Sequence, residues 1–150
     1  MPNHLDLLPR WLAALPAGAW FALQVPGNSG AASHRLLRET AAEPRWRERL
    51  ARVLRHEGAA GEPEDYPGIL LAAGLHSDAW ETTYLQVLPG SDPGLEWMRG
   101  TALRPVLTEL GADEPDFEAD LAPRLREAYP AGERGTVFPF RRVFAVGQRD

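Results

Sequence analysis

The stretch Trp80–Leu107, WETTYLQVLPGSDPGLEWMRGTALRPVL, decides how the rest of the chain is read. Its first part alternates. Trp80, Thr82 and Tyr84 fall on one side, Thr83, Leu85 and Val87 on the other, which predicts a strand from about Asp78 to Leu88. Asp92-Pro93 then opens a short helix that Gly100 ends, and Thr101 is expected to cap another, kinked at Pro105. A strand that runs into short, tightly punctuated helices points to an α/β fold with a helical insertion, expected over about residues 89–130.

Downstream, Asp113 is placed as the cap of a third helix, with Phe117, Leu121, Leu125 and Tyr129 at steps of four. Thr136–Val146 (TVFPFRRVFAV) reads as a last strand in which Phe138, Phe140, Phe144 and Val146 share parity, and Pro139 marks a bulge or an unpaired position. Upstream, Asn3 is positioned to cap a helix carrying Leu5, Leu8, Leu12 and Leu15. Ala19–Val25 (AWFALQV) is almost continuously apolar, the pattern of a strand covered on both faces and paired on both edges. Helices follow over Ser33–Ala42 and from Pro44 to about His56, the second with a stripe of Trp46, Leu50, Val53 and Leu54 beside Arg45, Arg49 and Arg52. Gly58–Glu64 is a loop, and Pro67 to Gly74 frames a short helix.

The sum is one domain over residues 1–150, with three strands and about six helices. The first crossover implies parallel strands, and the last strand is free to return antiparallel. Three strands are few for so many helices, and Ala19–Val25 calls for neighbours on both edges. The sheet reads as part of a larger one.

Composition narrows the chemistry. The formal net charge is −5, which gives nucleic-acid binding little electrostatic support. Cysteine and lysine are both absent, so disulfides, thiolate metal sites, Schiff-base lysines and P-loop lysines drop out. No apolar run is long enough to span a membrane and the N-terminus has no signal-peptide pattern, so a cytoplasmic protein without a membrane partner is expected. The four histidines, His4, His34, His56 and His76, never take the spacing of a helical zinc site, and no metal is expected. Glu62, Glu64 and Asp65 read as a solvated acidic loop.

Two groups of residues carry candidate chemistry. Gly27-Asn28-Ser29-Gly30-Ala31 lies between a strand and a helix, the place of a nucleophile-elbow serine, with His34 or His76 and Asp65 or Asp78 as partners. A plain turn built from ordinary turn residues accounts for the same sequence. Trp97, Arg99 and Arg104 form the second group. They read either as a surface helical hairpin with Trp97 in the core, or as a lid whose arginine clamps a carboxylate through paired hydrogen bonds.

Several segments, in order along almost the whole chain, resemble the trans-aconitate 2-methyltransferase family. They are Pro2-Asn3-His4, Gln24-Val25-Pro26-Gly27-Asn28, Trp80-Glu81-Thr82-Thr83-Tyr84, Trp97, Gly100-Thr101-Ala102-Leu103-Arg104-Pro105 and Phe140-Arg141-Arg142-Val143-Phe144. The resemblance covers only the C-terminal part of such an enzyme. It implies a class I (Rossmann-like) methyltransferase fold in which Ala19–Val25, Asp78–Leu88 and Thr136–Val146 stand as strands five, six and seven, the last antiparallel.

The family uses S-adenosylmethionine, held by a Gly-rich loop and an acidic residue on its first two strands. No G-x-G-x-G occurs here, so the isolated chain is expected neither to bind that cofactor tightly nor to methylate alone. The implied reaction is displacement at the sulfonium methyl by a carboxylate that is already ionised, so no general base and no catalytic residue is assigned. From type and position we assign Arg104 to a distal carboxylate of a small polycarboxylate, Trp97 and Tyr84 to the pocket wall, and Asn28 to the carboxyl end of the sheet. Arg141 is either a further cationic contact or structural. A binding or oligomerising module without activity is the alternative, and a serine hydrolase using Ser29 a remote one. The strand edge at residues 19–25 is expected to seek a partner, giving a homo-oligomer.

Overall fold

A computed structural model describes residues 4–54 and 60–150. The elements run α1 (His4–Ala13), β1 (Trp20–Pro26), α2 (Ala32–Ala41), α3 (Arg47–Leu50), α4 (Asp65–Ala72), β2 (Leu75–Leu88), α5 (Pro93–Arg99), α6 (Arg104–Leu110), a 3-10 turn (Gly111–Asp113), α7 (Glu114–Ala128), β3 (Ala131–Gly132) and β4 (Gly135–Arg149). The chain forms two compact units. The first comprises residues 1–29, 58–84 and 140–150, the second residues 30–57 and 85–139.

The first unit is a sheet with helices. Strand order is β1-β4-β2, so the last strand inserts between the other two. It runs antiparallel to β1, from Trp20 opposite Gln148 to Pro26 opposite Arg142. Along β2 the partners also run in opposite directions. A Cβ on Gly147 would meet the His76 carbonyl, while Trp80 stacks on Phe144 with ring centroids 5.3 Å apart. The expected antiparallel last strand is therefore present.

Leu8 and Leu12 of α1, Tyr66 and Leu70 of α4, Leu75, Val143 and Ala145 make the buried core of this unit, with Phe21, Leu23 and Val25 packed against it. Leu8 and Leu12 are one turn apart on α1, as the leucine spacing predicts, and Leu5 and Leu15 pack against the same cluster. The cap expected at Asn3 lies outside the described residues.

One expectation for β1 changes: its residues alternate between exposed and half-buried rather than being covered on both faces. The open edge expected at residues 19–25 is present, since β1 ends the strand order with no strand on its other edge among the described residues. The apolar run reflects one face on the core and one face in solvent, where Trp20 is 68% exposed.

The second unit is mainly helical. Leu37, Trp46, Leu50, Met98, Leu103, Val106, Leu110, Phe117, Leu121 and Leu125 bury one another. Helix α7 supplies Phe117, Leu121 and Leu125 at the expected four-residue steps, and Phe117 packs edge-on against Trp46 at 5.4 Å. The Trp46 indole N–H donates to Asp120 Oδ2 at 2.9 Å, and Arg45 and Arg49 pair with Asp116 and Asp113. The helix expected from Pro44 to His56 is a single turn, α3, followed by further turns to Leu54. Its stripe survives, because Trp46 and Leu50 are anchored by packing against the rest of the unit. His56 lies outside the described residues.

The caps differ in detail. The Thr101 hydroxyl donates back to the carbonyls of Trp97 and Met98, so it closes α5 rather than opening α6. Pro105 sits in the first turn of α6, where a missing N–H costs nothing, and produces no interior kink. Asp113 makes no capping bond; its carboxylate is taken by Arg49.

A fourth strand, β3, was not expected. It pairs with the start of β4 through Ala131–Thr136 and Gly132–Gly135. Gly135 permits this turn: its φ is 118°, and a Cβ there would lie 2.7 Å from the Leu88 carbonyl. Burial along β4 also changes parity. Thr136, Phe138 and Phe140 are buried in its first half, Val143, Ala145 and Gly147 in its second, so Phe144 and Val146 do not follow the earlier phenylalanines inward. Phe138 packs on Trp97 and Tyr129, while Val143 and Ala145 join the α1–α4 core.

Candidate functional site

The five residues singled out from sequence fall into two groups. Asn28, Tyr84 and Arg141 belong to the sheet unit, Trp97 and Arg104 to the helical unit.

In the sheet unit, the β1–β4 ladder continues past Pro26. The Gly27 N–H donates to the Arg141 carbonyl at 3.0 Å, and the Arg141 N–H donates to Asn28 Oδ1 at 2.8 Å. This locks the Asn28 side chain, which is only 6% exposed. Its Nδ2 has no hydrogen-bond partner among the described residues. Arg141 leans over Gly27. A Cβ there would come within 3.2 Å of both Arg141 Nη1 and Val143 Cγ2, so the absent side chain makes room for the guanidinium.

That guanidinium is held by two carboxylates. Nε donates to Glu81 Oε2 at 2.9 Å, Nη2 donates to the same oxygen and, at 2.5 Å, to Glu62 Oε2. Nη1 makes only a long contact, 3.4 Å, to the Gly27 carbonyl. Hydrogen bonding from Arg141 holds the Glu62 carboxyl below the ordinary carboxylate range, and the two carboxylates raise the pKa of Arg141. Tyr84 stands on β2 at Trp80's parity, half in solvent.

In the helical unit, the Trp97 ring packs against Phe138 at 5.3 Å, and Phe138 in turn against Tyr129 at 4.7 Å. Trp97 is thus a half-buried wall of the helical core. Arg104 opens α6 with an exposed side chain that makes no ion pair among the described residues. Arg99, its neighbour in sequence, is committed: it pairs with Glu96 and, through two nitrogens, with Glu118. A small cavity of about 130 Å³ in this unit is lined by Leu95, Leu125, Tyr129 and Thr136, with the two-pronged Asp92–Arg126 pair at its edge. Its arginine is already neutralised.

The hydrolase arrangement is not assembled. Ser29 is exposed, and no hydrogen bond joins it to a histidine among the described residues. His76 instead meets Asp150 at 2.7 Å in solvent, and His34 Nδ1 faces Ser33 Oγ at 3.3 Å. Among the described residues, no group of His, Cys, Asp and Glu is arranged to hold a metal, and no helix is long and apolar enough to cross a membrane.

Sequence reasoning missed Glu62 and Glu81 as partners of Arg141. The acidic loop is solvated as expected, with Glu62, Glu64 and Asp65 all exposed, while Glu62 also binds Arg141 and Asp65 accepts the Glu62 N–H at 2.8 Å. A signal was present for Glu81, a charge placed between Trp80 and Thr82 at the parity of Ala79, which packs on the core.

Comparison with known proteins gives the wider setting. No family model matches the chain. Curated relatives do. A protein of Streptomyces avermitilis is 56% identical over 151 residues, covering 100% of this chain and 56% of that protein. One of Streptomyces coelicolor is 54% identical, covering 99% and 50%, and one of Rhodococcus jostii 52% identical, covering 99% and 59%. Identity at this level along a whole chain marks common descent, so the chain is a methyltransferase homologue. More narrowly, each of these relatives is a trans-aconitate 2-methyltransferase, and this chain corresponds to part of such a protein. It spans about half the length of the curated relatives it matches.

Proposed function

We propose that the chain is the substrate-side part of an S-adenosylmethionine-dependent methyltransferase that esterifies one carboxylate of trans-aconitate or a similar small polycarboxylate. The observation that carries this reading is the identity to trans-aconitate 2-methyltransferases along the entire chain. The sheet order β1-β4-β2, with its antiparallel last strand in the middle, supports the equivalence to strands five, seven and six of a class I methyltransferase. Helices α5 to α7 would then be the substrate lid.

The described residues do not fit the adenosyl cofactor. Holding its ribose takes a carboxylate free at a strand end beside a glycine-rich turn. Here Glu62 and Glu81 are spent on Arg141, Asp92 on Arg126, and the turn after β1 places the Asn28 amide in that position. We therefore assign this chain only the work of holding the substrate. A carboxylate is ionised at neutral pH, so its nucleophilic oxygen needs no base and the burden falls on orientation. Arg104, exposed and without an ion pair among the described residues, is suited to a distal carboxylate, while Asn28 and Arg141 offer donors at the carboxyl end of β1. Trp97 and Tyr84 supply apolar walls.

The same reading extends to assembly. A seven-residue strand at the end of a sheet, uncharged and carrying an exposed tryptophan, is a surface that seeks a partner, and we propose that a second copy covers it when nothing else does. Light scattering should then give a dimer or larger species; a monodisperse monomer would count against it.

The decisive test joins this chain to the remaining part of the Streptomyces avermitilis relative. The product is expected to form a methyl ester of trans-aconitate, and Arg104→Ala to lower kcat/KM roughly 10- to 100-fold for loss of a charge-assisted contact. The unjoined chain should show no tight S-adenosylmethionine binding by calorimetry. A folded, joined protein that methylates no polycarboxylate would refute the reading.

A further inference from the structure

The Arg141 cluster holds an incomplete arrangement. A guanidinium offers two edges for paired hydrogen bonds to a carboxylate. Glu81 fills the Nε/Nη2 edge with a single oxygen shared by both nitrogens. Glu62 touches the Nη1/Nη2 edge through Nη2 alone, and Nη1 is left with a 3.4 Å contact to the Gly27 carbonyl. Next to Gly27 stands Asn28, nine-tenths buried, its oxygen fixed by the Arg141 N–H and its Nδ2 donors without a protein partner among the described residues. The acceptor end of this amide is locked, while its donor end is not fully buried and reaches solvent, where an oxygen from outside can meet it.

Glu62 is the replaceable member. Its side chain is 57% exposed, against 28% for Arg141, and its backbone belongs to the loop before α4 rather than to the sheet. One arginine against two glutamates leaves the cluster with an excess negative charge. A ligand carboxylate that takes the place of Glu62 leaves the charge on the guanidinium unchanged, and it can use both Nη1 and Nη2 where Glu62 uses one.

We propose that Arg141 and the Asn28 amide form a carboxylate-binding site that Glu62 occupies as an internal competitor, so that a small di- or tricarboxylate enters by displacing Glu62. The idea rests on the assignment of Asn28 and Arg141 to substrate binding made above, and adds how that site is kept closed. Competition from an exposed ion pair is modest, so the expected attenuation is about two- to fivefold in apparent affinity.

Calorimetric titration of the 150-residue chain with citrate tests this. Glu62→Gln should bind citrate about two- to fivefold more tightly than the unsubstituted chain. Glu64→Gln, which removes a charge from the same loop without touching Arg141, should leave the affinity unchanged. Arg141→Ala should abolish binding. Because that variant can fail to fold, a second measurement needs no substitution. Carbon-13 NMR of the Glu62 carboxyl should show its pKa rising toward the ordinary value when citrate is added. Equal or weaker binding by Glu62→Gln, or a Glu62 titration indifferent to saturating citrate, overturns the proposal. Failure of the methyltransferase reading would look different: citrate would still displace Glu62, while the joined protein methylated nothing.

Discussion

The helical unit and the sheet unit distribute their aromatic residues differently. In the first, Trp46, Phe117 and Phe138 are buried and touch other rings or a carboxylate. In the second, Tyr66 and Phe140 are buried too, but Trp20, Trp80 and Tyr84 share one sheet face with Ala22, Phe144 and Val146 and are exposed. The helical unit has completed its core, whereas the sheet unit has completed one face of two.

Substitution can break this contrast directly. Phe117→Ala should cost about 3–5 kcal/mol, because a fully buried ring leaves a cavity among Trp46 and the α7 leucines. Trp20→Ala should change the stability of the monomer by no more than about 0.5 kcal/mol, since the indole is already in water. Urea denaturation of dilute protein measures both. Equal losses would mean that the face bearing Trp20 is covered after all.

The same contrast separates what the sequence made legible from what it did not. Helix positions were readable from spacing, because Leu8 and Leu12, or Phe117, Leu121 and Leu125, can meet a core only from one side. Strand positions were readable too, but not their cover. An apolar run such as Ala19–Val25 looks the same whether its second face meets a helix or solvent. Within the site, Asn28 and Arg141 were named separately; their hydrogen bond joins positions 113 residues apart and depends on β4 lying beside β1. The partnership of Glu81 with Arg141 was missed for the same reason, since pairing across strands is set by topology rather than by spacing, and that of Glu62 because a loop's reach to a distant strand leaves no periodic signal.

A smaller effect is expected from the two neighbouring arginines of the helical unit. Arg99→Ala should cost about 1–2 kcal/mol, because it strands Glu118, whose side chain is nearly buried, although Arg99's own exposure weakens the pair. Arg104→Ala should be neutral in the same denaturation experiment, as the guanidinium has no ion-pair partner among the described residues to abandon. A destabilising Arg104→Ala would turn that residue from a candidate substrate contact into a structural one.

The smallest effect is a matter of pH, and it again divides the units. In the helical unit, burial, with help from Arg38, lowers the pKa of His34; in the sheet unit, Arg141 lowers that of Glu62. Asp92, paired with Arg126 in the helical unit, is lowered as well. In each case the folded pKa lies below the unfolded one, so as pH falls the unfolded chain takes up the proton first and stability declines. The His34 contribution is complete above its ordinary value of about 6.5 and is lost as pH drops through the lower folded value. The carboxylates begin to contribute their losses only below about pH 4. Urea midpoints followed from pH 8 to pH 3 should therefore fall in two limbs. His34→Gln should flatten the upper limb and leave the lower one intact. Glu62→Gln should trim the lower limb by only a few tenths of a kcal/mol, as befits an exposed ion pair. An upper limb that survives His34→Gln would place the titrating group elsewhere, and an effect of Glu62→Gln well above 1 kcal/mol would make Glu62 a structural brace rather than a displaceable competitor.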